Sequence, residues 1–464
     1  MDERTAAFLD TFRTFMTDVV NHAPSGDNRQ TPLGDFAEEF IGESVRELPV
    51  ITHVVAMHRL VDSDIALASI AAETLAVAHG VTGGQHRFHA SLPELLVNPF
   101  MHFAPGPVDY VSLPDGPESS RRVMAFGFYA LRIAGVPLVV LQRQAEPQAG
   151  RNTASLEILT ADDATATAFL ADFEERMLSL SVLRGRVLTF TGNEWGHGAA
   201  GATFLPRPEV SADDVILGPG VLEAVVRHVV GIGEHRERLL AAGQHLKRGV
   251  LLYGPPGTGK TLTVRHLLSR TPETTAVLLT GRSIQFITEA AELARAMQPS
   301  IVVLEDVDLV AEERGLHGPQ PLLFAVLDAL DGLGGDADVT FVLTTNRVQV
   351  LEPALAERPG RIDLAVEVPL PDDVARRRLF HRYGAGLPLG ADALDAAADR
   401  AAGTTGSFAK ELVRRAVLLG AERGHPVTDA ELVESLDELL ASTAKLSRSL
   451  LGGGQDELNM SVPD

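Results

Sequence analysis

The run Gly254-Pro255-Pro256-Gly257-Thr258-Gly259-Lys260-Thr261 carries the most specific chemistry in this chain. It fits the phosphate-binding pattern G-x-x-x-x-G-K-[ST] without a departure. Each residue type has a physical reason to be there. Glycines let the backbone curl until successive N–H groups face a polyphosphate, and a helix starting at that point adds its positive end. The Lys260 ammonium suits β- and γ-phosphates, and the Thr261 hydroxyl suits Mg²⁺. Leu262 opens the helical run that follows, while the apolar Gly249-Val250-Leu251-Leu252-Tyr253 precedes the loop as a buried strand should. The implied ligands are ATP and Mg²⁺.

A second group supplies what hydrolysis needs. Ile301-Val302-Val303-Leu304 is an apolar strand ending in Glu305-Asp306. The first carboxylate is expected to hold Mg²⁺ through water, and the second to polarise the attacking water. Such pairs usually run Asp then Glu. Here the order is reversed and Asp306 is one methylene shorter, so a slow or inactive site is the alternative to a working one. Strand 339–344 runs into Thr344-Thr345-Asn346, whose amide can sense a γ-phosphate and orient water. Farther on, Arg358 and Arg361 flank Pro359-Gly360. Arginine's permanently charged fork suits a neighbouring subunit's γ-phosphate, although R-x-x-R alone is more often solvated surface charge.

The elements that must position these groups are legible as texture. At 464 residues the chain has room for two or three domains. Residues 1–85 read as a helical region, with Phe8, Phe12, Phe15 and Val19 at helical spacing. Residues 86–205 read as an α+β domain. Its strands are expected at 123–133, 136–141, 155–160 and 186–191, with a helix over 161–179. From 206 to 371 strands alternate with helices, near 250–253, 276–280, 301–304, 339–344 and 365–368, which is a parallel-sheet rhythm. Residues 372–448 read as helical, and 449–464 as a glycine-rich, mobile tail.

Composition sets limits. With 62 acidic against 40 basic residues the net charge is −22, which argues against a nucleic-acid partner. The absence of cysteine removes disulfides, thiolate metal sites and cysteine nucleophiles. The N-terminal Met1-Asp2-Glu3-Arg4 lacks a basic signal-peptide region. The most apolar stretch, Ala125 to Leu141, is interrupted by Arg132 and Pro137 and is too short to span a bilayer. A cytoplasmic protein without a membrane partner is expected. The 15 histidines are scattered, and the sequence contains no His-Glu-x-x-His zinc-protease run.

Residues 210 to about 424 resemble the AAA ATPase module of the classical clade. That group contains valosin-containing protein, the proteasomal ATPases and the membrane-bound AAA metalloproteases. The likeness rests on Arg248 to Tyr253 before the loop, Asp308 to Arg314, Leu327 to Leu333, Thr344-Thr345-Asn346, and Gly403-Thr404-Thr405-Gly406-Ser407-Phe408. The Glu305-Asp306 order is similar to that in the mitochondrial translocase of the Rieske iron–sulfur protein. The resemblance implies an α/β fold: a P-loop NTPase parallel sheet (the AAA+ core), a C-terminal helical lid, and an N-terminal α plus α+β region. It also implies a homo-oligomeric, hexameric ring with ATP at subunit boundaries, Arg358 and Arg361 acting in trans, and Gly406-Ser407 contacting nucleotide from the lid.

These readings predict a Mg²⁺-dependent ATPase that remodels, unfolds or translocates a protein substrate or adaptor engaged through residues 1–205. A nucleotide-gated scaffold with slow turnover is the alternative. The family's threading loop carries an aromatic, a hydrophobic residue and a glycine. Here Phe286-Ile287 stands in that place with no glycine after it, so these two side chains either line a pore or pack in the sheet.

Overall fold

The computed structural model describes residues 11–14, 29–84, 87–146, 151, 153–191, 201–308, 337–349 and 362–441. The chain divides into two compact units: Met1–Val182 with Gly192–Gly201, and Leu183–Thr191 with Ala202–Asp464.

The first unit is built on a seven-stranded antiparallel sheet ordered β1-β7-β6-β5-β2-β3, with β4 also paired to β5. Its strands are β1 (Val50–Val55), β2 (Ala78–Thr82), β3 (Ala104–Gly106), β4 (Asp109–Pro114), β5 (Ser120–Ile133), β6 (Val136–Arg143) and β7 (Ala154–Leu159). Both faces are covered. Successive side chains point to opposite sides of a strand, so Tyr129, Leu131 and Val140 pack with α2 (Leu60–Glu73) and α4 (Asp163–Ser179). Phe126, Phe128 and Val139 face α1 (Pro32–Ile41) and α3 (Leu92–Leu96) instead. Burial on both faces explains why 123–131 reads as one apolar run. The β5–β6 hairpin turns at Ala134 (φ 48°) and Gly135 (φ 88°), the pair of left-handed residues a two-residue turn requires. The expected helical region over 1–85 is corrected here, because β1 and β2 are strands of this sheet. Helical and strand residues lie too close together there for periodicity to separate them.

The second unit holds the phosphate-binding loop. Its sheet is ordered β14-β10-β13-β12-β11-β8-β9. The strands are β8 (Val187–Thr191), β9 (Gly201–Leu205), β10 (Arg248–Tyr253), β11 (Thr275–Thr280), β12 (Ser300–Glu305), β13 (Val339–Thr345) and β14 (Leu364–Glu367). All five core strands pair in parallel, and β8 continues the parallel pairing beside β11. The strand expected at 186–191 in the preceding domain thus belongs to this sheet, and 201–205, within the bounds given to that domain, adds a strand that was not expected. Hydrophobic pattern identifies a strand but not its sheet. Three short helices, α5 (Val221–Val226), α6 (Ile232–Glu234) and α7 (Arg236–Ala241), lead to β10, with a π-turn over Arg227–Gly231 between the first two. The helices α8 (Lys260–Arg270) and α9 (Ile287–Ala296) follow β10 and β11.

Two arginines fix this frame. Arg207 donates to the carbonyls of Gly185, Leu268, Thr271 and Thr274, at 2.7–3.1 Å, and so ties the segment after β9 to the C-terminal end of α8. A cation there also meets the negative end of the helix dipole. Arg248, buried at the start of β10, pairs with Asp338 at 2.8 Å.

The lid comprises α10 (Asp373–Gly384), α11 (Ala391–Arg400), α12 (Gly406–Glu422) and α13 (Asp429–Leu440), packed around Phe380, Phe408, Leu412, Leu432 and Leu436. Thr405 and Thr428 cap α12 and α13 with their hydroxyls. Ile216, in the segment between β9 and α5, is buried in this lid core. No helix among the described residues is long and apolar enough to cross a membrane.

Candidate functional site

Parallel pairing brings the C-terminal ends of β10, β12 and β13 to one edge of the sheet, the edge where open α/β sheets bind ligands. The loop after β10 has Gly254, Gly257 and Gly259 at φ 143°, 77° and 112°, which only glycine adopts without strain. Side chains would not fit either. A Cβ on Gly254 would meet the Val368 carbonyl at 2.3 Å, and one on Gly257 would meet Ser407 Oγ at 2.8 Å. The Thr258 hydroxyl closes the turn by donating to the Pro255 carbonyl at 2.9 Å, and Pro256 is exposed at the tip.

Lys260 opens α8 and is buried. Its Nζ donates to the Gly254 and Pro255 carbonyls, each at 2.8 Å. Burial lowers its pKa to about 8, against the opposing attraction of Asp306 and Asp308. The ammonium is thus partnered by neutral carbonyls in a loop shaped for anions, a state that a polyphosphate would improve. Next to it, the Thr261 hydroxyl lies on the side of Glu305. Burial raises the Glu305 pKa, an effect that Thr261 and Arg265 oppose. A hydroxyl and a carboxylate side by side, both oxygen donors, fit a hard cation such as Mg²⁺.

The reversed carboxylate order has a backbone explanation. Asp306 has φ 52°, a left-handed conformation that short Asp tolerates better than longer side chains. Its N–H donates to Thr344 Oγ1 at 3.0 Å, turning the chain out of β12 toward β13. There Asn346 Nδ2 donates to Asp306 Oδ1 at 3.2 Å. Asp308 completes the bracket: its buried Oδ1 accepts the Thr345 hydroxyl at 2.9 Å and the Asn346 N–H at 3.1 Å. Backbone strain of this kind clusters at functional sites.

A cavity of about 390 Å³ opens beside the loop, within the ~300–1,000 Å³ usual for small-molecule sites. Gly257, Gly259, Thr261 and Leu262 form one wall, and Gly406, Ser407 and Lys410 of the lid form another. Val215, Ile216, Leu217, Leu379 and Tyr383 supply apolar surface suited to a base and sugar. The lid touches the loop directly, through the Ser407 N–H donated to the Gly257 carbonyl at 3.3 Å. At the mouth, Arg382 of α10 is ion-paired with Asp214, whose other oxygen accepts from Ser211.

The structure therefore gathers Gly254 to Leu262, Glu305, Asp306, Asn346, Gly406 and Ser407 around one edge. Arg358 and Arg361 lie outside the described residues. Of the two alternatives for Phe286 and Ile287, the contacts within this chain favour packing. Ile287 is 1% exposed, at the buried start of α9, and the half-buried Phe286 ring sits 6.2 Å from Phe190 of β8. Residues 281–286 form a 3₁₀ turn closed by a Thr280–Ser283 capping box and run directly into the helix. No loop projects. The strand that receives Phe286 comes from 187–191, a partner the local sequence does not announce. Asp214, Tyr383 and Lys410 were also missed, because they reach the site from elements without a phosphate-binding signature. Asp308 had a signal, a buried-type position two residues beyond Asp306.

Fold and site together define an ATPase domain of the AAA type. Residues 250–370 match the family described as "ATPase family associated with various cellular activities (AAA)", and the chain carries an AAA domain. Among curated proteins it is 32% identical over 289 residues to ATP-dependent zinc metalloprotease FtsH 3 of Sphaerobacter thermophilus, covering 59% of this chain and 58% of that one. It is 33% identical over 257 residues to FtsH 2 of the same organism, covering 52% and 39%. To the FtsH of Mycobacterium tuberculosis it is 32% identical over 292 residues, covering 59% and 38%. The chain thus spans 58% or less of the length of these three relatives.

Proposed function

We propose that this chain is a Mg²⁺-dependent ATPase that works as a homo-oligomeric ring of six and remodels a protein engaged by its first unit. The observation that carries the reading is the Asn346–Asp306 hydrogen bond at the ends of β12 and β13, with Glu305 adjoining it beside the phosphate loop. Lys260 and the loop N–H groups would bind the phosphates. Thr261 and Glu305 would hold Mg²⁺, which when bound neutralises phosphate charge. Asp306 has one oxygen fixed by Asn346, and its Oδ2 is left to take the proton of an attacking water. Arg358 and Arg361 would complete the site of the neighbouring subunit. The printed names of the relatives, ATP-dependent zinc metalloproteases, support action on proteins. Proteolysis does not carry over, because these 464 residues contain no His-Glu-x-x-His run.

The test compares ATP turnover and particle size for the parent and Asp306→Asn. Turnover abolished by the substitution, on a six-subunit particle in ATP, supports the reading. Parental turnover in Asp306→Asn removes Asp306 as the base, and a monomer in ATP removes the ring. Arg361→Ala should abolish turnover while leaving ATP affinity nearly intact.

A further inference from the structure

We infer that Lys410 is a second cation for the phosphates of the bound nucleotide, delivered by the lid. The inference rests on the ATPase reading above and adds a residue to it. The chain uses arginine almost throughout: only Lys247, Lys260, Lys410 and Lys445 are lysines among its 40 basic residues. One of the four is the phosphate-loop lysine, and another, Lys410, lines the cavity beside that loop.

Lys410 is also an available charge. It is exposed and makes no ion pair or hydrogen bond among the described residues, whereas its neighbours on α12 are engaged. Arg414 and Arg415 both pair with Glu411, so the adjacent carboxylate is already taken by two guanidiniums. At the cavity mouth Arg382 is likewise consumed by Asp214.

Its direction suits the role. Side chains on a helix lean toward the N-terminus, over the residues three and four positions earlier. For Lys410 those are Ser407 and Gly406, which line the cavity and sit against Gly257 of the phosphate loop. A flexible four-carbon stem then carries an ammonium toward a polyanion, the use for which a compact point charge suffices. The Gly406-Ser407 pair offers no charge, and Lys410 supplies it one helical turn along.

Equilibrium titrations of Lys410→Met and Lys410→Arg with a non-hydrolysable ATP analogue, ADP and adenosine test this. The expected result is about tenfold weaker analogue binding by Lys410→Met, the size of one charge-assisted hydrogen bond. Adenosine binding should be unchanged, and Lys410→Arg should bind the analogue close to the parent. Unchanged analogue affinity in Lys410→Met overturns the assignment, and so does an equal loss for adenosine. A parent that binds none of the three ligands overturns the ATPase reading itself, and this inference with it.

Discussion

Asn346 Nδ2 donates to Asp306 Oδ1 across the ends of two neighbouring parallel strands, at 3.2 Å. The contact fixes one oxygen of the proposed base while the amide stays beside the space a γ-phosphate would fill. Asn346→Ala should therefore leave ATP affinity nearly unchanged and lower kcat about 10²-fold, the usual cost of losing one preorganised donor. Steady-state kinetics with a parallel binding titration would check it. A rise in Kd that accounts for the whole loss would make Asn346 a binding residue.

Asp308 supports that contact from behind. Its buried oxygen holds both the Thr345 hydroxyl and the Asn346 N–H. Asp308→Ala leaves two donors without an acceptor and should cost about 2 kcal/mol of domain stability. Below the melting transition it should lower kcat more than it raises KM, because the backbone that presents the Asn346 side chain loses its anchor. Thermal melts and kinetics on the same preparation separate the two effects. Lost stability with normal kcat would confine Asp308 to the fold.

The left-handed backbone at Asp306 makes the reversed carboxylate order testable. Asp306→Glu keeps the charge but adds a methylene at φ 52°, where a longer side chain is less tolerated and its carboxylate is carried past Asn346. Turnover should fall at least tenfold, with ATP binding preserved. Turnover equal to the parent would mean that the Asn346 contact does not set the position of the base.

Burial of Lys260 predicts a pH dependence with a definite sign. Its pKa is lowered to about 8 in the empty loop, and phosphate binding needs the charged form. ATP affinity should hold below pH 8 and weaken above it, approaching tenfold per pH unit. The empty domain should move the other way. Between about 8 and the ordinary lysine value near 10.5 the unfolded chain binds the extra proton, so this group adds stability as pH rises. On the acid side, burial raises the Glu305 pKa, so Mg²⁺ affinity should begin to fall above the usual carboxylate range. Analogue titrations from pH 5 to 9.5 with and without Mg²⁺ would show both limbs, and a flat profile would contradict them.

How much of this was legible in advance depended on range. The loop, the strand before it and Glu305-Asp306 are local signals, spelled in contiguous residues with little freedom of conformation. The β5–β6 hairpin was equally plain, because apolar runs flank Ala134-Gly135. Pairing partners were not legible. Nothing in Val187–Thr191 says that it lies beside Val277 rather than beside β7, since both neighbourhoods bury a short apolar strand. The cavity wall from Tyr383 and Lys410 was hidden for the same reason: lid helices are patterned for their own core, and the few residues facing nucleotide break no rule of that pattern.

Phe286 turns that lesson into a measurement. Its sequence neighbourhood fits either a pore loop or a packed turn, and the structure places the ring against Phe190 with Ile287 buried beside it. A packed, half-buried ring lost in Phe286→Ala should cost about 1–3 kcal/mol of stability. Any change in protein-stimulated turnover should track that loss and recover in Phe286→Leu, which refills the space without an aromatic face. A gripping ring predicts the reverse: an unchanged melting transition, normal basal turnover, and stimulation by unfolded protein lost in both variants. The exposed Gly281, Arg282 and Gln285 would then be the remaining surface of this turn on which a substrate strand can act.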